Sequence, residues 1–255
     1  MNLLLFAADE LHDGRLRIAG RRAEHIRGVL RLQVGDTLRV GMIDGHRGTG
    51  RILRISGEEI ELAVGLDRAP PPRPTVELIL ALPRPIMLQR ILKQATVLGV
   101  ARIHLIRASR VEKSFFHTPV LRPERIRALL LDGLEQAMDT RLPEVMIHSR
   151  FRPFVEDVVP AMTGRRLLAH PDAPHDLAAA FTGSRERQRS VLAVGPEGGW
   201  SDYEVGRFRE QGFMVFSMGP RILHVDTAVV ALLAQLQLLS SLEGRDGGSR
   251  ALPRS

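Results

Sequence analysis

Ser190-Val-Leu-Ala-Val194 runs into Gly195-Pro196-Glu197-Gly198-Gly199-Trp200 and then into Ser201-Asp202-Tyr203-Glu204. Further on, Phe213-Met-Val-Phe216 leads to Met218-Gly219-Pro220-Arg221-Ile222-Leu223, and His224-Val225-Asp226-Thr227 opens a long apolar helix. Two short apolar runs, each closed by a Gly-Pro loop and followed by a helix, predict buried strands of an α/β fold. Ligands of open α/β sheets settle outside the carboxyl ends of the strands, where both loops fall. Gly195 permits a sharp turn and Pro196 stiffens it, while Gly198 and Gly199 let backbone groups approach a flat ligand. Ser201 and Glu204 match the S-x-x-E capping box, so a helix starts directly after the loop. Neither loop is a dinucleotide or nucleoside-triphosphate fingerprint.

Outward from this stretch, Val76–Leu82 and Ile103–Ile106 read as further strands, each followed by a helix, over 86–98 and 123–138. Strand–helix alternation to about residue 240 predicts a largely parallel sheet. Pro70, Pro71, Pro72 and Pro74 mark residues 69–74 as a stiff linker. Before it, residues 1–68 hold short alternating runs at 38–40, 50–55 and 60–64, with one helix over 22–30. Ala23, Ile26, Val29 and Leu30 are expected on that helix's buried face. Arg21, Arg22, Arg27 and Arg31 crowd the same region; phosphate contact or a solvated surface both suit them. After residue 241, Glu243-Gly-Arg-Asp-Gly-Gly-Ser reads as a disordered tail, 242–255.

The 255 residues carry a net charge of +7, which favours polyanionic partners. Of 36 basic residues only Lys93 and Lys113 are lysines. No cysteine occurs, which excludes disulfide frameworks and thiolate zinc sites. One Trp and one Tyr argue against a base-stacking platform. Leu3–Phe6 is too short for a signal core, and Ala228–Leu239, broken by Gln235 and Gln237, too short to span a bilayer. A cytoplasmic protein is expected. His170-Pro-Asp172-Ala-Pro-His175-Asp176 invites a metal reading, but its prolines break helical ligand spacing; a loop, and no metal, is expected.

Gly195–Gly199, Met218–Leu223 and Asp226-Thr-Ala228 together resemble the ribosomal RNA small subunit methyltransferase E family, of the SPOUT class. Glu24-His25-Ile26, Val29-Leu30-Arg31 and Val34-Gly35-Asp36 are similar to its N-terminal domain. Gln94–Val100, and Glu135-Gln136 with Arg141–Val145, are similar to its catalytic domain. The resemblance implies an α/β fold: a trefoil-knotted SPOUT methyltransferase domain (75–241) behind a small PUA-like β-barrel domain (1–68) that binds RNA. It implies a homodimer, with S-adenosyl-L-methionine held by Gly195, Pro196, Glu197, Gly198 and Gly199 and by Met218, Gly219, Pro220, Ile222 and Leu223. The implied reaction is methylation of N3 of one uridine in the 16S rRNA of small ribosomal subunits, without a metal.

The substrate side departs from the family pattern. Asp139 stands where the family has an arginine, with Arg141 two residues on; His224-Val-Asp226 replaces Arg-x-Glu; Val97 replaces a common glutamate. Arg141 and Arg221 are the candidates for RNA or anion contact, or are structural ion-pair partners. His224 serves as a base or a helix-entry residue. Asp226 caps the last helix or acts in the site, and Glu197 is a turn acceptor. Two further readings follow from these departures: a paralogue acting on another RNA, and a noncatalytic RNA-binding assembly factor.

Overall fold

The structure, a computed structural model, describes residues 2–182 and 189–248. The chain forms two compact units, one of Met1–Arg73 with Leu130–Leu142, the other of Pro74–Leu129 with Pro143–Ser255.

In the first unit, β1 (Leu4–Phe6), β2 (Leu11–His12), β3 (Arg15–Ile18), β4 (Thr37–Met42), β5 (Arg47–Ser56) and β6 (Glu59–Arg68) form one sheet. Its order is β1-β4-β5-β6-β3-β2. The ladders are antiparallel except β1 with β4. Alternation drives this arrangement: Leu16 and Ile18 of β3 point into a core with Phe6, Val40, Ile52, Ile60 and Leu62, while Arg15 and Arg17 stay exposed. A β-barrel is expected from the resemblance; among the described residues no ladder joins β1 to the two-residue β2.

The helix expected over 22–30 is shorter. Helix α1 (Gly20–Glu24) passes into a π-helical turn, His25–Leu30. A π turn is wider than 3.6 residues, so the buried stripe ends at Ile26, and Val29 (67%) and Leu30 are exposed instead of buried. Residues 130–142 complete this unit: Leu134 packs with Leu3 and Leu5, and Leu142 and Ile43 close over them.

The second unit is built on β7 (Val76–Ala81), β8 (Val100–Ile106), β9 (Glu144–His148), β10 (Arg165–Ala169), β11 (Ser190–Val194) and β12 (Met214–Phe216). All ladders are parallel, in the order β12-β10-β11-β7-β8-β9. Strands β7 and β11 are buried throughout and, apart from Glu77 and Ser190, are apolar, as central parallel strands are. Connecting helices are α2 (Pro85–Val97), α3 (Pro123–Ala137), α4 (Phe151–Pro153), α5 (Leu177–Thr182), α6 (Asp202–Glu210) and α7 (Val225–Gly248). The sheet progresses outward from β7 to β9, then continues on the other side of β7, which creates a switch point at the carboxyl ends of β7 and β11.

Helix α7 runs past the expected domain end at residue 241. Its Glu243 pairs at 2.6 Å with Arg165, which is buried and stacks on the Phe181 ring at 3.8 Å. That buried cation needs an anion, so the helix continues where a disordered tail was expected. The rest of that tail, 249–255, lies outside the described residues. A second correction concerns length: Val225–Glu243, mean hydropathy 1.6, is long and apolar enough by composition to cross a membrane, because Gln235 and Gln237 interrupt it without charge.

Candidate functional site

The loops after β10, β11 and β12 meet around a cavity of about 310 Å³, within the range of small-molecule sites. Its walls are Val194–Trp200, Ser217–Gly219, Arg221–Leu223 and Ala169–Asp172, with Val225, Ala228 and Leu232 of α7 as apolar floor. Of the expected ligand residues, all line it except Pro220.

Local sequence explains this wall. Gly199 has φ +74° and Gly219 φ +105°, both in the left-handed region that glycine tolerates. At Gly195 a Cβ would lie 3.0 Å from Nε1 of the buried Trp200. At Gly198 it would lie 3.3 Å from Arg110. Small residues therefore make the space. The backbone N–H groups of Gly198, Ile222 and Leu223 have no hydrogen-bond partner among the described residues, and Trp200 Nε1 is likewise buried without one. Such a wall offers unpaired donors beside apolar surface, which suits a flat heterocycle held by main chain.

A carboxylate fixes the loop from beneath. Glu204 of α6 is 2% exposed. It accepts from Ser201 N and Oγ, both at 2.9 Å, completing the expected capping box. It also accepts from Ser109 N at 2.6 Å and Ser109 Oγ at 3.2 Å, beyond the end of β8. This clasp delivers the next residue, Arg110, to the cavity, where its guanidinium donates to Gly198 O. Sequence reasoning missed Arg110; a basic residue just past the carboxyl end of a core strand was the signal available.

The other expected residues divide. Arg221 lines the cavity and is exposed. His224 does not line it: the ring is exposed, and the backbone carbonyl accepts from Ala228 N in the first turn of α7. Arg141 does not line it either. Its guanidinium donates to Pro71 O (3.0 Å) and Asp44 O (3.2 Å) in the first unit. Asp139 accounts for its own presence there, since its carboxylate accepts from Thr140 N (2.6 Å) and Arg141 N (2.9 Å) and shapes the turn. Asp226 accepts from Thr227 N and lies 3.6 Å from Arg90. Glu197 lines the cavity and accepts from Arg84 N (3.4 Å), at the start of α2, instead of from its own loop. In the first unit Arg21 pairs with Asp132 (2.8 Å), Arg22 with Glu10, and Arg27 donates to Gly57 O; the Arg31 guanidinium has no partner among the described residues. His170 and Asp172 border the cavity, and no group of three or more potential ligands is placed to hold a metal among the described residues.

A family model described as an RNA methyltransferase domain matches residues 70–237, and one described as an RNA methyltransferase PUA domain matches 18–64. Ribosomal RNA small subunit methyltransferase E of Treponema pallidum (strain Nichols) is 30% identical over 241 residues, which cover 92% of this chain and 90% of that protein. The chain belongs to the ribosomal RNA small subunit methyltransferase E family. The family's Bacillus subtilis member is 26% identical over 238 residues, 88% of this chain and 90% of that one. A solved member from Neisseria gonorrhoeae, bound to S-adenosyl methionine, matches with TM-score 0.76 at 21% identity over 93% of this chain and 98% of its own. A methyltransferase from Legionella pneumophila, in complex with the same cofactor, matches with TM-score 0.78 at 21% identity over 93% and 97%. These likenesses bear on the fold, a mixed α/β chain with a PUA-like domain.

Proposed function

We propose that this chain is an S-adenosylmethionine-dependent methyltransferase that modifies N3 of one uridine in 16S rRNA of small ribosomal subunits, acting in the cytoplasm as a homodimer. Residues 1–68 serve as the PUA-like RNA-binding domain and 75–241 as the catalytic domain, with 69–74 between them. The carrying observation is the cavity wall. Gly195, Gly198 and Gly199 leave room for an adenine, and the free N–H groups of Gly198, Ile222 and Leu223 supply donors without a side chain in the way. Convergence of the β10, β11 and β12 loops at one cavity supports a trefoil-knotted SPOUT arrangement for this segment.

When bound, S-adenosylmethionine supplies a methyl group made electrophilic by its sulfonium. The chain's part is to orient the uracil and manage one proton. Uridine N3–H is a weak acid and loses its proton before or during attack, leaving charge on the ring nitrogen and its flanking oxygens. Arg110 and Arg221 are the cations at the cavity that stabilise this anion. The carboxylates of Glu197 and Asp172, which line the same cavity, are better placed to receive the proton than His224.

The dimer reading rests on α2 and α7, which pack on each other yet leave Ile86, Val97, Leu238 and Leu242 exposed. Only 28% of the Val225–Glu243 segment is buried, and a second copy would cover such a surface. Calorimetric titration with S-adenosylmethionine tests the cofactor assignment. Binding to the native chain and its loss in Gly198→Arg, where the new side chain enters the cavity, is expected; a native chain that does not bind would overturn the reading.

A further inference from the structure

The outer face of the first unit's sheet carries a cluster of exposed arginines. Register defines this face. Arg51 of β5 lies opposite Ala63 of β6, which lies opposite Arg15 of β3. Arg54 lies opposite Glu61, which lies opposite Arg17. Arg39 of β4 lies opposite Thr49. All five arginines are exposed, while Ile52, Ile60, Leu62 and Ile18 fill the core on the other side.

Arg51 and Arg54 are three residues apart and would face opposite sides of a regular strand. The register shifts between Ile52 and Arg54, a bulge that turns Arg54 onto the face of Arg51 while keeping Ile52 and Ile55 paired with the core positions Leu62 and Ile60. The bulge thus serves the core through Ile52 and Ile55, and it gathers like charge on the opposite face, an arrangement that by itself costs stability. Acidic residues in these strands are Glu59, Glu61 and Asp67; Glu61 is engaged by Arg15 at 3.1 Å. The guanidinium groups of Arg17, Arg51 and Arg54 have no hydrogen-bond or ion-pair partner among the described residues. By contrast, Arg21, Arg22 and Arg27 near α1 are all bound to protein groups.

We propose that this face docks the phosphate backbone of helical RNA, with Arg17, Arg51 and Arg54 as its principal cations. The inference rests on the chain's acting on rRNA and names the surface that holds it. Arg17 and Arg54 have one strand between them and therefore sit roughly 10 Å apart, so each meets a different phosphate. No aromatic residue occurs in β3, β4, β5 or β6, so the face has no platform for unpaired bases and reads backbone and shape instead.

The test uses the full-length chain and fluorescence anisotropy with a labelled RNA hairpin of about 20 base pairs and with oligouridine, between about 50 and 200 mM salt. The R17Q/R51Q/R54Q variant is expected to weaken hairpin binding at least tenfold and to make the slope of log affinity against log salt shallower by about two to three. R21Q/R27Q should change that slope by less than one, and oligouridine should bind more weakly than the hairpin. If the triple variant does not fold, R54Q alone should lower the slope by about one. Unchanged affinity and slope in the arginine-face variants, an equal loss in R21Q/R27Q, or preference for oligouridine would each overturn the proposal. Native-chain methylation of small subunits is scored separately: methylation with an unaltered R17Q/R51Q/R54Q sinks only the surface, and arginine-dependent binding without methylation sinks only the catalytic reading.

Discussion

Glu204 shows at residue scale how the site is held. Its buried carboxylate satisfies four donors, two on Ser201 and two on Ser109, and so joins the α6 N-terminus to the loop that carries Arg110. Truncation leaves those donors unpaired away from water. Glu204→Ala should cost about 2–4 kcal/mol in urea unfolding, with Glu204→Gln retaining part of it. Gly195→Ala places a methyl 3.0 Å from Nε1 and 3.1 Å from Cε2 of Trp200, whose ring is wedged against Phe208 at 5.3 Å. The indole cannot yield, so a loss of about 1–3 kcal/mol from overpacking is expected by the same measurement. An unchanged unfolding midpoint in either variant would contradict these contacts.

At the scale of elements, β7, β8 and β9 carry a row of titratable groups: Glu77 and His104, both buried, and the half-buried His148. His104 Nδ1 lies 3.2 Å from His148 Nε2, and His104 Nε2 lies 3.5 Å from Glu77 Oε2. Burial, with His104 alongside, lowers the His148 pKa from 6.5. The folded state then binds fewer protons than the unfolded one, so stability is full above pH 6.5 and falls as pH drops towards the folded value. Glu77 is held below its usual value of 4.5 by His104 and then Arg102, against the opposing effect of burial, so its contribution is lost only at lower pH. His148→Phe should flatten the decline in melting temperature between pH 7 and 5, though not abolish it, since burial also lowers the His25 pKa. An undiminished decline would count against this assignment. These groups were illegible in sequence because each sits alone in an apolar strand and only the sheet order aligns them. The strands themselves were legible: Val76–Ala81, apart from Glu77, and Ser190–Val194, after its first residue, are apolar runs between turn signals. The first helix was not, because a π turn shifts Val29 and Leu30 out of a period that composition alone suggests. The partners of Arg141 were illegible for a related reason: nothing in the sequence points to the Asp44 and Pro71 carbonyls that its guanidinium meets.

For the molecule as a whole, the two Gly-Pro loops located the cavity from sequence, since both follow apolar strands at the ends where ligands of parallel sheets settle. Arg110 escaped because its role depends on a clasp formed 95 residues away in the chain. Leu238 and Leu242 of α7 are exposed in a single copy. Leu238→Glu with Leu242→Glu should convert a dimer to monomer in sedimentation equilibrium while leaving helix content unchanged; a native chain that sediments as a monomer would remove the homodimer from the account. The most direct test of the central claim is transfer of labelled methyl from S-adenosylmethionine to unmethylated small ribosomal subunits, followed by nucleoside mass spectrometry. The account predicts 3-methyluridine at a single 16S position, lost in Gly198→Arg. Label in a different nucleoside, or none with cofactor bound, would contradict it.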